Sequence, residues 1–270
     1  MVTNPEADLA RRLIDPNVPL WDGDEDTTLV CREVRRETHD VATFVLAAPS
    51  PRRFAFSPGQ FLTLELEIDG ATIFRSYTIA SAPTRPYTVE ITVKRVAGGP
   101  VSNWLHDHLK PGMTVSAALP MGDFSCFEAP AAKYLFLSGG SGVTPLMSMT
   151  RTLVDLGLDH DVVFVHAART PADIVFRDEL ATMARRAAGL KVAHVCEADA
   201  PFEAWTGHRG RLTAEMVTAI APDLSEREVF VCGPAPFMAA VKAMLAGLGH
   251  PPARYHEESF SFEDLAAEVR

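Results

Sequence analysis

The segment Leu137-Ser138-Gly139-Gly140-Ser141-Gly142-Val143-Thr144-Pro145 decides the fold class of this chain. It follows the apolar run 134–137 and opens a helical pattern, so it leads from a buried strand into a helix. Glycines let the backbone approach a ligand, and the free N–H groups of a helix start favour a pyrophosphate. Thr144 can cap the helix, and Pro145 suits its first turn. The segment predicts a dinucleotide-binding turn, and a plain tight turn is the alternative.

Two other glycine-rich turns do not fit these residues. A Walker A loop needs the motif G-K-[ST], whereas Val143 and Thr144 follow the last glycine. A nucleophile elbow needs a glycine two residues after its serine, and Val143 holds that position after Ser141. A nucleoside triphosphatase of this type and an α/β-hydrolase are therefore not expected.

The rest of the C-terminal half repeats the alternation of strand and helix. Short, fully apolar runs are typical of parallel strands that are buried on both faces, and they occupy 134–140, 161–169, 190–196 and 228–234. Helical patterns lie between them, at 144–157, 173–189, 213–221 and 236–249. Strands separated by helices of this length predict β-α-β units and a parallel sheet.

The N-terminal half has a different rhythm. Val, Ile, Thr and Phe alternate with polar residues in runs closed by turns, at 27–37, 41–49, 59–70, 87–96 and 113–120. One helical stretch interrupts them at 102–110, and Pro111-Gly112 ends it. We predict an antiparallel β-barrel or sandwich, joined near 128–133 to an α/β domain with a parallel sheet.

Charge and hydropathy exclude several classes of protein. The chain has 25 Lys and Arg against 35 Asp and Glu, a net charge of −10, so a nucleic-acid or anionic-membrane surface is not expected. No apolar run approaches the roughly 20 residues of a membrane span. The first residues lack the order of a secretory signal, which predicts a cytoplasmic protein.

The cysteines exclude further sites. Cys31, Cys126, Cys196 and Cys232 are far apart and form no C-x-x-C pair. A zinc ribbon, a cysteine-ligated iron–sulfur cluster and a disulfide framework are therefore not expected within this chain. No metal site is predicted from the histidines either.

Other short motifs can carry chemistry. In Arg75-Ser76-Tyr77-Thr78, the arginine can pair with a phosphate and the tyrosine can stack on a ring system, although an ordinary strand is the alternative. Gly98–Asn103 is a second glycine turn that opens a helix, and a plain helix cap is its alternative. Val231-Cys232-Gly233-Pro234 closes a parallel strand at the edge where ligands bind, although a buried inert cysteine is common. Tyr255–Phe260 is expected to lie beyond the last strand.

These motifs, in the order R-x-Y-[ST], G-G-x-V-S, G-G-x-G-x-T-P and C-G-P, resemble the ferredoxin–NADP reductase superfamily from about Thr27 to Phe260. The resemblance is to reductases of Rieske oxygenases and of hybrid-cluster proteins, and the stretch 11–21 resembles reductases of quaternary-amine demethylases. It implies an N-terminal extension (1–26), an FAD-binding β-barrel (27–128), an NAD(P)-binding α/β domain (129–256), and a tail that covers the flavin and leads to a linker (257–270).

The resemblance also implies roles for individual residues. Arg75 would hold the flavin phosphates, Tyr77 would pack on the ring, and Thr78 would lie near its N5 edge. The implied catalytic group is Thr78, Thr144, Cys232 and Glu258. The implied cofactor-binding group is Arg75, Ser76, Tyr77, Thr78, Gly99, Val101, Ser102, Gly139, Gly140, Gly142, Thr144, Pro145, Arg169, Cys232, Gly233, Pro234 and Phe260.

The implied function is transfer of electrons from NADH through FAD to an iron–sulfur carrier or a Rieske oxygenase. Arg169 favours NADPH by its charge, but related NADH users also carry an arginine there, so NADH is expected and NADPH is the alternative. Relatives usually carry a [2Fe–2S] domain that these cysteines cannot supply, so the chain is either part of a longer protein or uses a separate carrier. A non-catalytic flavin- or nucleotide-binding subunit is the alternative function.

Overall fold

A computed structural model describes residues 17–23, 26–157 and 159–259. The predicted N-terminal extension therefore lies mostly outside the described residues, as does Phe260. No helix in the described ranges has the length and apolar character needed to cross a bilayer.

The N-terminal half is an antiparallel β-barrel, as the alternating pattern predicted. Its strands are β1 (Thr28–Arg36), β2 (Val41–Ala47), β3 (Phe61–Ile68), β4 (Ala71–Thr78), β5 (Val89–Lys94) and β6 (Thr114–Ala117). They pair in the order β4-β3-β6-β1-β2-β5. Just beyond β4, Ile79 bridges Ile91, and the Ala80 N–H donates to the Glu90 carbonyl at 2.7 Å, which closes the sheet. Helix α1 (Pro100–His108) lies between β5 and β6.

The C-terminal half is a six-stranded parallel sheet, which confirms the predicted α/β architecture. Its strands are β7 (Lys133–Gly139), β8 (Asp161–Ala168), β9 (Leu190–Cys196), β10 (His208–Arg209), β11 (Glu228–Gly233) and β12 (Tyr255–Ser259), in the order β10-β9-β8-β7-β11-β12. Its helices are α2 (Val143–Asp155), α3 (Arg177–Arg186), α4 (Ala214–Ile220) and α5 (Ala235–Gly247). The strand order reverses between β7 and β11, and ligands of open α/β sheets bind at such a point.

Two sequence expectations for this half were wrong. Residues 255–259 do not lie beyond the last strand, because β12 pairs in parallel with β11 along its whole length. The sequence Tyr-His-Glu-Glu-Ser has no apolar run that would predict a strand. It forms one because its backbone pairs with β11 at the edge of the sheet. The helix predicted at 173–189 begins at Arg177 and not near 173, because Phe176 takes a left-handed conformation with φ 58°.

One face of α2 fastens the two halves together. Ser148, Arg151 and Asp155 are spaced three and four residues apart, so they share a face of the helix. The buried Ser148 hydroxyl donates to the Ser81 carbonyl at 2.7 Å, and Arg85 donates two bonds to Asp155, both at 2.9 Å. Both partners belong to the loop between β4 and β5 of the barrel.

Arg151 is the buried centre of this contact. Its guanidinium donates to the Ala80 carbonyl at 2.7 Å and to Glu90 at 3.0 Å, both in the barrel half. It also donates two bonds, at 2.8 and 2.7 Å, to Glu179 of α3. The pairing of one buried cation with groups from both halves fixes how the parallel sheet sits on the barrel.

We expect Arg151→Gln to destabilise the protein by about 3 kcal/mol, because it leaves two carboxylates without their shared partner in a buried contact. Urea denaturation followed by circular dichroism measures the change. The matched control is Arg185→Gln on the exposed face of α3, which should change stability by less than about 0.5 kcal/mol. Equal stability of the two variants would contradict a fastening role for Arg151.

Candidate active site between the barrel and the parallel sheet

A cleft of about 550 Å³ lies between the two halves of the molecule. The barrel contributes β4, β5 and the start of α1, and the parallel half contributes the glycine turn and the ends of β11 and β12. Most of the predicted site residues line it, namely Arg75, Ser76, Tyr77, Thr78, Gly99, Val101, Ser102, Thr144, Gly233, Pro234 and Glu258. The cleft therefore brings together motifs that are up to 183 positions apart, from Arg75 to Glu258.

The motif of β4 forms one wall of the cleft. Tyr77 packs against the barrel core, and burial raises the pKa of its phenol, which stays protonated. Arg75 makes no ion pair within the described ranges, and its guanidinium donates only to the Phe74 carbonyl, at 2.6 Å. The Thr78 hydroxyl is buried and has no hydrogen-bond partner. Arg75 and Thr78 thus offer unused polar atoms to a ligand in the cleft.

The turn before α1 forms the next part of the wall. Gly98 takes a left-handed φ of 73°, and the chain enters the helix at Pro100. The Ser102 hydroxyl accepts the Val96 N–H at 3.2 Å and donates to the Gly99 carbonyl at 3.3 Å. The Ser102 side chain therefore closes the turn, and the free N–H groups at the start of α1 remain for an anion.

The glycine turn of the parallel half is held tightly against β11. A Cβ on Gly142 would lie 2.4 Å from the carbonyl carbon of Cys232 and 2.4 Å from the Gly233 nitrogen. A Cβ on Gly139 would lie 3.0 Å from the Phe237 ring. Gly140 has a φ of 54° and open space around it. Two of the three glycines thus serve close packing, while Thr144 and the intervening serine line the cleft.

Glu258 forms the opposite wall, at the end of β12. One of its carboxylate oxygens is buried without a hydrogen-bond partner among the residues that the structure describes, and burial raises the pKa of the carboxyl from 4.5 to about 8. Glu258 is therefore mostly neutral at pH 7 and can donate a hydrogen bond. Cys232 lies beside it in the sheet register, where burial and then the charge of Glu258 raise the pKa of the thiol.

A row of polar side chains crosses the sheet at this level. His194, His166, Ser138, Cys232 and Glu258 occupy equivalent positions on five neighbouring strands. Ser138 Oγ lies 2.8 Å from His166 Nδ1, while His166 Nε2 and His194 Nε2 have no partner. Burial, followed by the neighbouring His194, lowers the pKa of His166 to about 3, so this histidine is neutral. His166 does not line the cleft; it lies in the sheet beneath it.

The row one level further from the cleft is aromatic. Phe164, Phe136, Phe230 and His256 share this level, and their ring centroids lie 6.1, 5.9 and 4.5 Å apart in turn. On this face of the sheet, the side chains thus change from aromatic to polar within two residues along each strand, in the direction of the cleft. Such a change is expected where parallel strands end at a ligand crevice.

Some predicted residues lie away from the cleft. Arg169 is exposed and pairs with Asp40 of the barrel at 3.7 Å and with Asp173 at 3.2 Å. His39, Asp40 and Asp173 approach one another closely enough to ligate a cation, but Lys94 and Arg169 already pair with the two aspartates. Gly139, Gly140, Gly142, Pro145 and Cys232 lie next to the cleft without lining it.

Other lining residues were missed by the sequence reasoning. Thr92 and Lys94 of β5, together with Phe61 of β3 and Ser141 of the glycine turn, line the cleft. Thr92 and Lys94 are polar positions in an alternating strand, which is the signal that could have placed them on an outer face. Nothing in the sequence shows that this face meets the second domain.

The residues present fit a flavin dinucleotide. The unpartnered Thr78 hydroxyl and Glu258 carboxyl face one volume, and unpaired Arg75 and the start of α1 supply two anion sites for a diphosphate. The cleft is also open to the glycine turn of the parallel sheet, where a second nucleotide can bind.

Comparison with known proteins agrees with this geometry. Residues 28–126 match the oxidoreductase FAD-binding domain, and residues 136–243 match the oxidoreductase NAD-binding domain. The chain is 52% identical over 242 residues to a glycine betaine monooxygenase reductase subunit of Pseudomonas aeruginosa, covering 89% of this chain and 66% of that protein. It is 46% identical to a stachydrine N-demethylase reductase subunit of Rhizobium meliloti, covering 92% of this chain and 70% of that protein.

A solved structure is similar as well. Phthalate dioxygenase reductase, described as a modular structure for electron transfer from pyridine nucleotides to [2Fe–2S], matches with a TM-score of 0.69 and 25% identity. The match covers 89% of this chain and 70% of that one. The chain thus spans about two thirds of the length of the relatives that it resembles.

Gly142→Ala should destabilise the protein by about 1–3 kcal/mol, because the added Cβ would overlap the backbone of β11 and force the two segments apart. The same displacement should weaken binding of NADH. Thermal denaturation and equilibrium dialysis measure the two effects. Gly247→Ala, at the end of α5 where an added Cβ meets no atom, is the matched control and should not lower stability.

The raised pKa of Glu258 predicts a pH dependence of stability. The carboxyl is neutral in both states below about pH 4.5. Between this pH and about 8 it ionises only in the unfolded chain, so the folded state loses stability progressively over this range, and the loss levels off above about pH 8. We expect the free energy of unfolding of the flavin-free wild type to fall relative to that of Glu258→Gln between pH 5 and pH 8.5. The midpoints of urea denaturation measure this difference.

Glu257 is the control on the same strand. Although burial acts in the opposite direction, bonds from Lys242 and Tyr255 lower the pKa of Glu257. The stability that ionised Glu257 contributes is present above the pKa that this group has in the unfolded chain. The difference in stability between wild type and Glu257→Gln should therefore stay constant over this range. A constant difference for Glu258→Gln as well would show that its carboxyl is ionised throughout.

Proposed function

Because the chain belongs to the ferredoxin reductase family of FAD- and NAD-binding oxidoreductases, we propose that it draws electrons from NADH and passes them through FAD to an iron–sulfur partner. The observation that carries the proposal is the cleft between the two domains, which Thr78 and Glu258 both line, each with a buried oxygen that has no hydrogen-bond partner among the described residues. When bound, FAD supplies hydride acceptance and the release of single electrons.

The barrel side of the cleft binds the flavin. Arg75 pairs with a phosphate, and the start of α1 offers the backbone N–H groups of Val101 and Ser102 to the other. The Gly99 N–H is used within the turn, where it donates to the Val96 carbonyl at 3.0 Å. Tyr77 packs as a neutral ring against the isoalloxazine. Two separate anion sites suit the diphosphate of FAD better than the single phosphate of FMN.

The parallel half binds the nicotinamide nucleotide. Gly142 lets the turn pack on β11, Gly139 makes room for the Phe237 ring, and Gly140 takes a left-handed φ in open space. Thr144 and Pro145 lie in the first turn of the helix that faces the pyrophosphate. Cys232 and Gly233 end β11 beside the turn, and Pro234 follows them. We assign these three residues to one side of the nicotinamide pocket.

Thr78 and Glu258 shape the reacting space. The Thr78 hydroxyl offers a hydrogen bond near the flavin edge, and neutral Glu258 donates a hydrogen bond without adding negative charge. Exclusion of water from this space protects the transferred electrons from side reactions.

The charges around Arg169, outside the lining of the cleft, favour NADH. Arg169 is the cation expected to accept a 2′-phosphate, but it already pairs with Asp40 and Asp173. A phosphate there would have to displace two carboxylates, whereas a free ribose hydroxyl could donate to either of them.

The partner in this proposal is an iron–sulfur carrier or the oxygenase component of a two-component system. The named relatives are reductase subunits of a glycine betaine monooxygenase and of a stachydrine demethylase. All four cysteines are free and buried, so the cluster that receives the electrons belongs to another domain or protein.

Anaerobic titration with NADH tests the proposal. The purified chain should be yellow, release FAD on denaturation, and lose its visible absorbance when NADH is added. NADPH at the same concentration should react more slowly. A chain that binds FAD but is not reduced by either nucleotide would be the non-catalytic subunit instead, and a chain without flavin would contradict both functions.

Arg75→Ala should weaken FAD binding by roughly tenfold or more, because a charge-assisted bond contributes about 1.5–3 kcal/mol. Its affinity for NADH should change much less. Fluorescence titration of the flavin-free protein measures the first, and dialysis the second. Arg36→Ala, at the exposed end of β1, removes the same charge far from the cleft motif and should leave both affinities unchanged.

A further inference from the structure

Three hydrogen-bonded side chains run from the outer surface of the barrel to the cleft, and the roles above do not use them. Thr43 Oγ1 lies 2.6 Å from a carboxylate oxygen of Glu37 and 2.7 Å from Thr92 Oγ1. Thr43 is fully buried, Thr92 is nearly so, and Thr92 lines the cleft. The row connects a charged group to the space proposed for the cofactors.

The alternation of β5 shows which way Thr92 points. Val89, Ile91 and Val93 belong to the barrel core. Glu90 and Lys94 project outwards, since Glu90 meets Arg151 of α2 and Lys94 pairs with Asp40. Thr92 lies between these two, on the face of the strand that meets the parallel half.

The chemistry of the three groups fixes the direction of their hydrogen bonds. Burial raises the pKa of Glu37, while the bond from Thr43 and the charges of Arg35 and Arg151 act in the opposite direction. As a carboxylate, Glu37 can only accept a hydrogen bond, and Thr43 Oγ1 lies within donating distance of it. The single hydroxyl proton of Thr43 therefore goes to Glu37, so Thr92 must donate its own proton to Thr43. Only the lone pairs of the Thr92 hydroxyl remain for the cleft.

We propose that Glu37, acting through Thr43, makes Thr92 a hydrogen-bond acceptor that receives an amide N–H of a cofactor bound in the cleft. This rests on the proposed function, since it needs FAD and a nicotinamide nucleotide in that space. Two amide donors can enter it: the imide N–H of the flavin ring and the carboxamide N–H of the nicotinamide. Thr92 contacts the cofactor, and Glu37 and Thr43 are positioning residues.

Thr92→Val tests the contact, because it keeps the shape of the side chain and leaves Thr43 still donating to Glu37. Thr92→Ser is the matched control, since it keeps the hydroxyl. If the flavin is the donor, Thr92→Val should raise the dissociation constant of FAD about fivefold, measured by fluorescence titration of the flavin-free chain.

If the nicotinamide is the donor, the FAD-loaded chain should instead bind NAD⁺ about fivefold more weakly in Thr92→Val. Its preference for NAD⁺ over the 3-acetylpyridine analogue, which has a ketone in place of the amide, should disappear. Equilibrium dialysis measures both dissociation constants without any turnover. Thr92→Ser should behave as wild type in each measurement.

Thr43→Val tests the relay, because it frees the Thr92 hydroxyl to rotate and donate. Thr43→Val should weaken binding of the same cofactor that Thr92→Val binds more weakly, either FAD or NAD⁺, because the Thr92 hydroxyl is then no longer held as an acceptor. Wild-type behaviour of Thr43→Val would show that Glu37 does not set the direction.

Unchanged FAD and NAD⁺ binding in Thr92→Val, with wild type still reduced by NADH, would overturn this inference and leave the proposed function standing. Failure of the wild type to bind FAD would overturn the proposed function itself.

Discussion

The buried guanidinium of Arg151 is the contact on which the geometry of the cleft depends. It satisfies acceptors from the barrel and from α3, and it sits near the end of α2. The other end of α2 is the glycine turn at the cleft, and a helix of 13 residues is about 20 Å long. Because a helix is stiff, docking of one end on the barrel sets the position of the turn at the other. The same helix therefore binds the domains together and places the nucleotide turn opposite the wall formed by β4.

A second constraint comes from the ends of the parallel strands. One face of the sheet changes from an aromatic row to a polar row within one repeat of the side chains. The aromatic row packs under the helices and excludes water, while the polar row includes side chains whose buried atoms lack partners. Unpartnered groups carry a desolvation cost of about 1–3 kcal/mol each, so they are retained only where something compensates. For Glu258, the proposed function supplies this compensation as a ligand bound in the cleft. The paired histidines further along the row must stay neutral, which their lowered pKa values show.

The sequence was a good guide to the elements that carry a periodic apolar pattern. The barrel strands alternate, the inner parallel strands are apolar throughout, and the glycine turn falls where the resemblance placed it. Prediction failed where a side chain's partner lies far away in the chain. β12 has no apolar pattern, because pairing with β11 at the sheet edge is enough to hold it. The sequence also showed no sign that Arg169 pairs with Asp40, which lies 129 positions earlier. The alternation of β5 could have placed Thr92 on an outer face of the barrel, but the sequence did not indicate its partner in β2 or the neighbouring domain.

The cleft also resolves a conflict between net charge and ligand. The chain carries a net charge of −10, yet its proposed ligands are dinucleotides with negatively charged phosphates. The charged residues that line the cleft are Arg75, Lys94 and Glu258. Lys94 is balanced by Asp40, and Glu258 is mostly neutral at pH 7 because its pKa is about 8. Among the described lining residues, Arg75 is the one that keeps an uncompensated charge, which favours an anion in the cleft although the net charge of the chain is negative. Burial of one carboxyl thus does more for anion binding than an added cation at the surface would, since exposed charges are screened over about 10 Å at 0.1 M salt.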